Sequence, residues 1–381
     1  VELDLTSDQK FFAETSRSFL SDSCPTSELR ARRHDPDGFD SGYWQQGADL
    51  GWTTLLVSEK DGGGSISGRG LSDLSLVAFE FGRFAAPGPL TASNVVAGAL
   101  SRSGSEEQKA ELLPDLLTGT RVASWAHAEP RPFDRLGAVG LEATLRNGKY
   151  VLNGRKSAVE AAGQSEVLLV SAKVDGALTQ FLVPVNTPGV TVTPMKTVDL
   201  TRRFGRVSFE QVEVPTSAVL GEVGGAADDL EHQLEVAIVV QLAEMVGAMD
   251  RALEITTEWL FNRYSFGRPL ASYQELKHRF VDMRAWLEAG NAIADAATSR
   301  VQDETADAAE YVSAGKAFLG VYGPEVLQDC VQMHGGIGVT FEHDLHLFLR
   351  RVVLGAHLYG TVEDHRERLT SILELQEASN A

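Results

Sequence analysis

One apolar stripe constrains this chain more than any other feature. Leu230, Leu234, Val240, Leu253 and Leu260 recur at helical spacing over a very long stretch, and Pro269 breaks it. A second helix is expected over Gln274–Gln302 and a third over residues 305–333, with a kink expected at Gly323-Pro324. Shorter helices continue to the C-terminus. Residues 223–381 therefore read as a helical bundle with the long stripe at its start.

The texture before residue 223 differs. Over 121–222 the chain reads as short strands: Tyr150-Val151-Leu152, residues 166–170 and 179–185, and Val190-Thr191-Val192-Thr193. Asn147-Gly148 and Asn153-Gly154 read as turns, Arg206-Val207-Ser208-Phe209 alternates, and Pro215 closes the last strand. Residues 1–120 return to helical spacing. A capped start at Thr6-Ser7-Asp8 precedes Phe11, Phe12, Phe19 and Leu20, and further helices are expected over 43–50, 74–84 and Glu106–Leu117. Asp61-Gly62-Gly63-Gly64 and Pro87-Gly88-Pro89 separate them. The expected class is α+β: an N-terminal helical domain (1–120), a small β-barrel-like domain (121–222) and a C-terminal four-helix bundle (223–381).

Charge narrows the partners. With 34 Lys and Arg against 53 Asp and Glu, the net charge is −19, which repels nucleic acid and anionic lipid. A polyanionic ligand then requires basic residues gathered locally. Arg263, Arg268 and the pairs Arg202-Arg203 and Arg350-Arg351 are the candidates, with Arg350-Arg351 expected to be solvated surface. Two cysteines, Cys24 and Cys330, form neither a disulfide framework nor a metal knuckle. The first residues lack the pattern of a signal peptide, and no run of ~18 apolar residues suits a membrane span. A cytoplasmic protein without nucleic-acid or membrane partners is expected.

Candidate chemistry is sparse. Arg263-Tyr264-Ser265-Phe266-Gly267-Arg268-Pro269 has an Arg fork, a Ser and a Gly-containing turn, which together suit a phosphate. A basic cap at the negative end of a helix dipole explains the same residues. Gln332-Met333-His334-Gly335-Gly336-Ile337-Gly338 permits close approach of a backbone or flat ring, or simply ends a helix. Glu342-His343-Asp344-Leu345-His346 lacks the i, i+4 histidine spacing and third ligand of a zinc site, so no metal is expected. The Gly62–Gly70 stretch lacks the P-loop Lys-Ser/Thr and reads as a loop.

In combination and order, these segments resemble the acyl-CoA dehydrogenase family over essentially the whole chain. The resemblance runs through Leu50-Gly51-Trp52, Asp61-Gly62-Gly63, Phe81-Gly82-Arg83, Glu106-Glu107-Gln108-Lys109, Leu113-Pro114, Glu129-Pro130 and Leu152-Asn153-Gly154-Arg155-Lys156. It is most specific at Arg263-x-Ser265-Phe266-Gly267 and Gln332-x-x-Gly335-Gly336-x-Gly338. It implies FAD, an acyl-CoA substrate, α,β-dehydrogenation and an electron-transfer acceptor. It also implies that Arg263 and Ser265 contact the FAD pyrophosphate of a neighbouring subunit and that Phe266 and Gln274 line the same clamp. Gln332, Gly335 and Gly336 would flank the adenosine half, and Thr361 would lie near the flavin.

The departures from the family pattern concern the reacting end. Dehydrogenation needs a carboxylate base at the α-carbon. At the two usual positions this chain has Tyr359, before Gly360-Thr361, and Ala237. A neutral phenol with a pKa near ~10 is a poor base at neutral pH. Glu235 falls two residues from the second position, on another helix face. Glu244 shares that face but sits ~10 Å along the axis, and is the fallback base. His127-Ala128-Glu129-Pro130 and Ser157-Ala158-Val159-Glu160 stand where relatives carry Thr-Glu-Pro and a Trp backing the flavin.

Kept clamp and missing base together resemble actinobacterial α2β2 acyl-CoA dehydrogenases acting on steroid side-chain thioesters. That implies a base-less subunit offering an ADP-side clamp to FAD held by a second acyl-CoA dehydrogenase-like subunit. The alternatives are a homo-oligomer with a displaced base, a flavin-free structural subunit, and an acyl-CoA oxidase.

Overall fold

The computed structural model describes residues 5–130, 136 and 138–380, the side chains of 376–380 excepted. The N-terminal part contains α1 (Ser7–Ser23), α2 (Thr26–Ala31), α3 (Ser41–Asp49), α4 (Gly70–Phe84), α5 (Leu90–Ser103) and α6 (Glu106–Leu117). Thr6 caps α1 through a reciprocal bond with Gln9, and Ser105 caps α6 the same way with Gln108. Each capping box satisfies two backbone donors that the helix start leaves unpaired, so these boundaries are locally encoded.

The strands are β1 (Ala123–Ala126), β2 (Glu142–Arg146), β3 (Lys149–Glu160), β4 (Val167–Val174), β5 (Ala177–Pro184), β6 (Val190–Met195), β7 (Phe204–Pro215) and β8 (Val219–Leu220). They form one mixed sheet in the order β6-β7-β3-β2-β4-β5-β8, with β1 joined parallel to β4. Asn147 and Gly148 both take positive φ and close the β2–β3 hairpin, as their residue types require. Asn153-Gly154 is not a turn. It lies inside β3 at a register shift against β7, where Asn153 Oδ1 accepts from the backbone and side chain of Gln211. A second shift falls between Lys156 and Val159, where Ala158 is left-handed (φ 49°). Tyr150, Val170, Phe181, Val207 and Phe209 belong to the sheet's own core.

The long stripe is α7 (Ala227–Asn262), 36 residues, buried on all sides from Gln233 to Met249. Pro269 does not end it. The helix stops at Asn262, and β9 (Tyr264–Ser265) pairs with β10 (Arg268–Pro269) beyond it. Then come α8 (Gln274–Gln302), α9 (Ala308–His334, with Pro324 inside), α10 (Leu345–His357) and α11 (Val362–Asn380). The α4–α7 crossing depends on two glycines. A Cβ at Gly82 would collide with the Glu244 carbonyl, and one at Gly247 with the Phe79 carbonyl. This close approach carries Glu244 to the seam between the helices and the sheet.

Candidate functional site

The two segments most specific in the sequence meet at one exposed end of the bundle. Between β9 and β10, Phe266 (φ 51°) and Gly267 (φ 79°) form a tight two-residue turn. Phe266 is 97% exposed, although a bulky residue in the left-handed region is strained. A strained, exposed aromatic at a hairpin tip gains nothing within its own chain. Ser265 is half-buried, its carbonyl accepting from the Tyr273 hydroxyl at 2.8 Å, and Gln274 opens α8 facing solvent.

Arg263 is exposed, its guanidinium 5.8 Å from the centre of the Trp259 ring. Trp259 stacks on His334 with centres 5.2 Å apart, and this contact joins the hairpin to the end of α9. There Gln332, Gly335 and Gly336 are exposed, and a Cβ on either glycine would meet nothing within 4 Å. Exposed Phe261, Tyr264, Ile337 and Val339 flank the two arms.

The second place is interior. Tyr359 is left-handed (φ 55°), and its ring lies 5.9 Å from that of Trp125, which stacks on His127 at 4.8 Å. Lys316 Nζ donates to the Gly355 and Leu358 carbonyls and to Gln241 Oε1, fixing the turn before Tyr359. His365 Nε2 donates to the Tyr359 carbonyl at 2.9 Å. Thr361 hydrogen-bonds through its backbone N–H and hydroxyl to Asp364, so here it caps α11. Ala92, Trp125, His127, Ala158, Glu160 and Tyr359 line a cavity of about 30 Å³, room for about one water molecule. Trp125 Nε1, His127 Nε2 and Glu160 Oε2 find no hydrogen-bond partner among the described residues.

A buried ion cluster closes this space. Arg202 donates to Glu160 Oε1 at 2.6 Å and to Glu244 Oε2 at 3.1 Å. Arg351 donates to Asp199 Oδ2 at 2.5 Å and lies 3.7 Å from Glu244, its remaining donors meeting the Ala86 carbonyl and Thr201 Oγ1. Three carboxylates thus face two guanidiniums, and the environments sort them. Burial raises the Glu160 pKa more than Arg202 lowers it, and Glu244 adds to the rise. Asp199 is also buried, but Arg351 and the Thr201 backbone N–H hold its pKa below the ordinary range. Burial, with Glu160 adding, pushes the Tyr359 hydroxyl up. Burial, then Lys156, pulls His127 down to about 3, so its imidazole is neutral. Lys156 is held between the His127 carbonyl and Glu129, whose Oε1 also accepts from Gly140 and Leu141.

Two expectations about basic residues fail here. Arg351 is not solvated surface but 1% exposed, because Asp199 compensates it inside the protein. Arg202 is spent on Glu160 and Glu244, and Arg203 on the carbonyls of Arg32, Asp35 and Leu200. Of the basic residues singled out from sequence, Arg263 and Arg268 face solvent. Glu244 is held by two arginines, Ala237 is wholly buried, and Glu235 faces Glu231, Arg368 and Glu304, with its pKa raised to about 7 chiefly by burial. Among the described residues no group of three His, Cys, Asp or Glu side chains is placed to hold a metal. None of the described helices is long and apolar enough to cross a membrane.

Sequence reasoning missed Trp259, Trp125 and Asp199 as members of these sites, and it named Arg202 and Glu160 without pairing them. Trp259 reads as one more apolar residue of the stripe, and the ion partners lie too far apart in sequence to announce themselves.

Comparison with known proteins bears on both places. The acyl-CoA dehydrogenase N-terminal, middle and C-terminal domain models match residues 6–120, 129–212 and 229–373. Acyl-CoA dehydrogenase IpdE2 of Mycobacterium tuberculosis is 28% identical over 96% of this chain and 96% of its own. A variant of the Tcur3481–Tcur3483 steroid acyl-CoA dehydrogenase superposes with a TM-score of 0.88 at 26% identity, covering 97% of this chain and 98% of that one. The fold is also that of a Mycobacterium smegmatis glutaryl-CoA dehydrogenase in complex with FADH2, with TM-score 0.85, 22% identity, and 97% and 95% coverage. Three consecutive domain matches and a relative aligned almost end to end place this chain in the acyl-CoA dehydrogenase family, whose members are oxidoreductases acting on acyl-CoA.

Proposed function

We propose that this chain is the base-less subunit of a heteromeric, FAD-dependent acyl-CoA dehydrogenase of α2β2 form. One contrast carries the reading: the space beside Tyr359 is about 30 Å³, while the Arg263–Gly336 face is open. Small-molecule sites usually need ~300–1,000 Å³, so neither a tricyclic ring nor an acyl thioester fits beside Tyr359. The outer face suits a diphosphate: an arginine without a carboxylate partner among the described residues, and two glycines that admit close approach. Bound FAD supplies a hydride acceptor for the β-carbon, and the α-proton needs a carboxylate base; the one carboxylate lining the space beside Tyr359, Glu160, is held by Arg202. Arg263, Ser265, Phe266, Gln274, Gln332, Gly335 and Gly336 then hold the ADP side of FAD seated mainly in the second subunit. The exposed apolar residues around them are covered by that subunit.

The substrate proposed is an acyl-CoA bearing a steroid side chain, supported by the steroid enzyme among the relatives. A separate electron-transfer protein reoxidises the assembly. Cys24 and Cys330 are both buried and unpaired, which suits a reducing cytoplasm. The homo-oligomeric alternative loses support because Glu244 is engaged by Arg202 and Arg351, and Glu235 faces Glu231, Arg368 and Glu304 instead of Tyr359. The test is the purified chain on its own: it should retain no stoichiometric flavin and turn over no acyl-CoA. Full flavin occupancy and turnover by the lone chain would overturn the proposal.

A further inference from the structure

Many arginines of this acidic chain are paired with carboxylates, but Arg263, like Arg268 beside it, sits over an aromatic ring instead. Arg17, Arg30, Arg83, Arg202 and Arg351 are all matched to carboxylates. Among the described residues Arg263 has no carboxylate partner, and its guanidinium carbon lies 5.8 Å from the centre of the Trp259 ring. A cation over an aromatic face uses the face of the guanidinium and leaves its in-plane N–H groups free for an anion. Trp259 is half-buried four residues earlier on α7, and its Nε1 has no hydrogen-bond partner among the described residues. Stacking on His334, at 5.2 Å and 20°, is therefore what orients the indole. His334 is in turn fixed: it is buried, its Nδ1–H donates to the Cys330 carbonyl at 2.8 Å, and the His343 ring meets it edge-on at 4.6 Å.

We propose that Trp259 and His334 are positioning residues: their stack, set between the hairpin and the end of α9, aims the Arg263 guanidinium. This rests on the reading of Arg263 as a contact of the FAD diphosphate. The rings touch no phosphate themselves. They lower the cost of ordering a long arginine side chain that otherwise sweeps through solvent.

The experiment uses the complex captured through a tag on this chain and follows the fluorescence of FAD released after dilution. Arg263→Ala should speed release. Trp259→Leu, which keeps bulk but loses the aromatic face, should speed it about tenfold, equivalent to ~1.4 kcal/mol. Trp259→Phe should restore most of the wild-type rate, and His334→Ala should behave like Trp259→Leu. In the Arg263→Ala background, Trp259→Leu should add less than about twofold, because the tryptophan acts through the arginine. Full additivity in that double variant, or an unchanged rate in Trp259→Leu when Arg263→Ala speeds release, overturns the positioning role alone. An unchanged rate in Arg263→Ala overturns the clamp reading beneath it.

Discussion

Replacing Arg202 with Met tests how much the buried ion cluster contributes to the stability of the fold. Arg202 is 3% exposed and neutralises two carboxylates, Glu160 at 2.6 Å and Glu244 at 3.1 Å. Removing one member of such a set leaves uncompensated buried charge, which costs ~3–5 kcal/mol. That is a large share of a total stability of ~5–15 kcal/mol, and for a chain of 381 residues corresponds to a melting drop of roughly 4–6 °C. The loss must depend on pH, and its sign follows from linkage. Without Arg202 the Glu160 carboxyl, already raised by burial, ionises still less readily in the folded state than in the unfolded chain, where the Glu pKa is ~4.3. A carboxyl whose folded pKa is raised contributes stability below the unfolded value and loses it as pH rises through the folded one. The deficit of Arg202→Met should therefore be small near pH 5 and grow toward pH 8. Adding Glu160→Gln should recover part of it, since it removes one orphaned charge. Chemical denaturation followed by circular dichroism at pH 5.0, 6.5 and 8.0 measures all three. A loss below about 1 kcal/mol at pH 8, or an equal loss at every pH, would refute the reasoning.

Other expectations follow from the same structure. Glu235, raised to about 7 mainly by burial, makes the folded state favour the proton, so wild-type stability falls as pH rises through about 7. Glu235→Gln should melt higher than wild type at pH 8 and show no gain at pH 4.5, and an equal shift at both would count against this. Gly247→Ala places a methyl against the Phe79 carbonyl where α4 crosses α7, and should cost ~1–3 kcal/mol or more; an unchanged denaturation midpoint contradicts it. Phe266→Ala removes a 97% exposed ring, so the isolated chain should keep its stability within about 0.5 kcal/mol. The same change should weaken assembly with the second subunit by about tenfold or more, measured by analytical ultracentrifugation. No effect on assembly would remove the hairpin tip from the interface.

The parts legible from sequence are those set by local chemistry. Helical spacing finds α7 and the full span of α8, and the Thr6–Gln9 capping box marks the first helix start. Asn147-Gly148 closes a hairpin, but the same dipeptide type at Asn153-Gly154 marks an interior bulge, since a positive φ at the glycine serves both features. The exposed clamp is legible because arginine, serine and glycines sit close together in two short segments. The closed interior is not. Glu160 and Arg202 are 42 residues apart, and Asp199 and Arg351 are 152 apart. Basic doublets such as Arg350-Arg351 look solvated until a partner carboxylate is placed beside one of them. Tyr359 and Ala237 show in sequence what is missing, whereas only packing shows what fills the space.

The central claim is that this chain offers half of a flavin site and has no ring seat of its own. Native mass spectrometry of the complex captured through this chain, combined with its flavin absorbance, tests it most directly. The account predicts two different subunit types with one FAD for each pair. One FAD for every chain, or a homo-oligomer of this chain with full flavin, would contradict it.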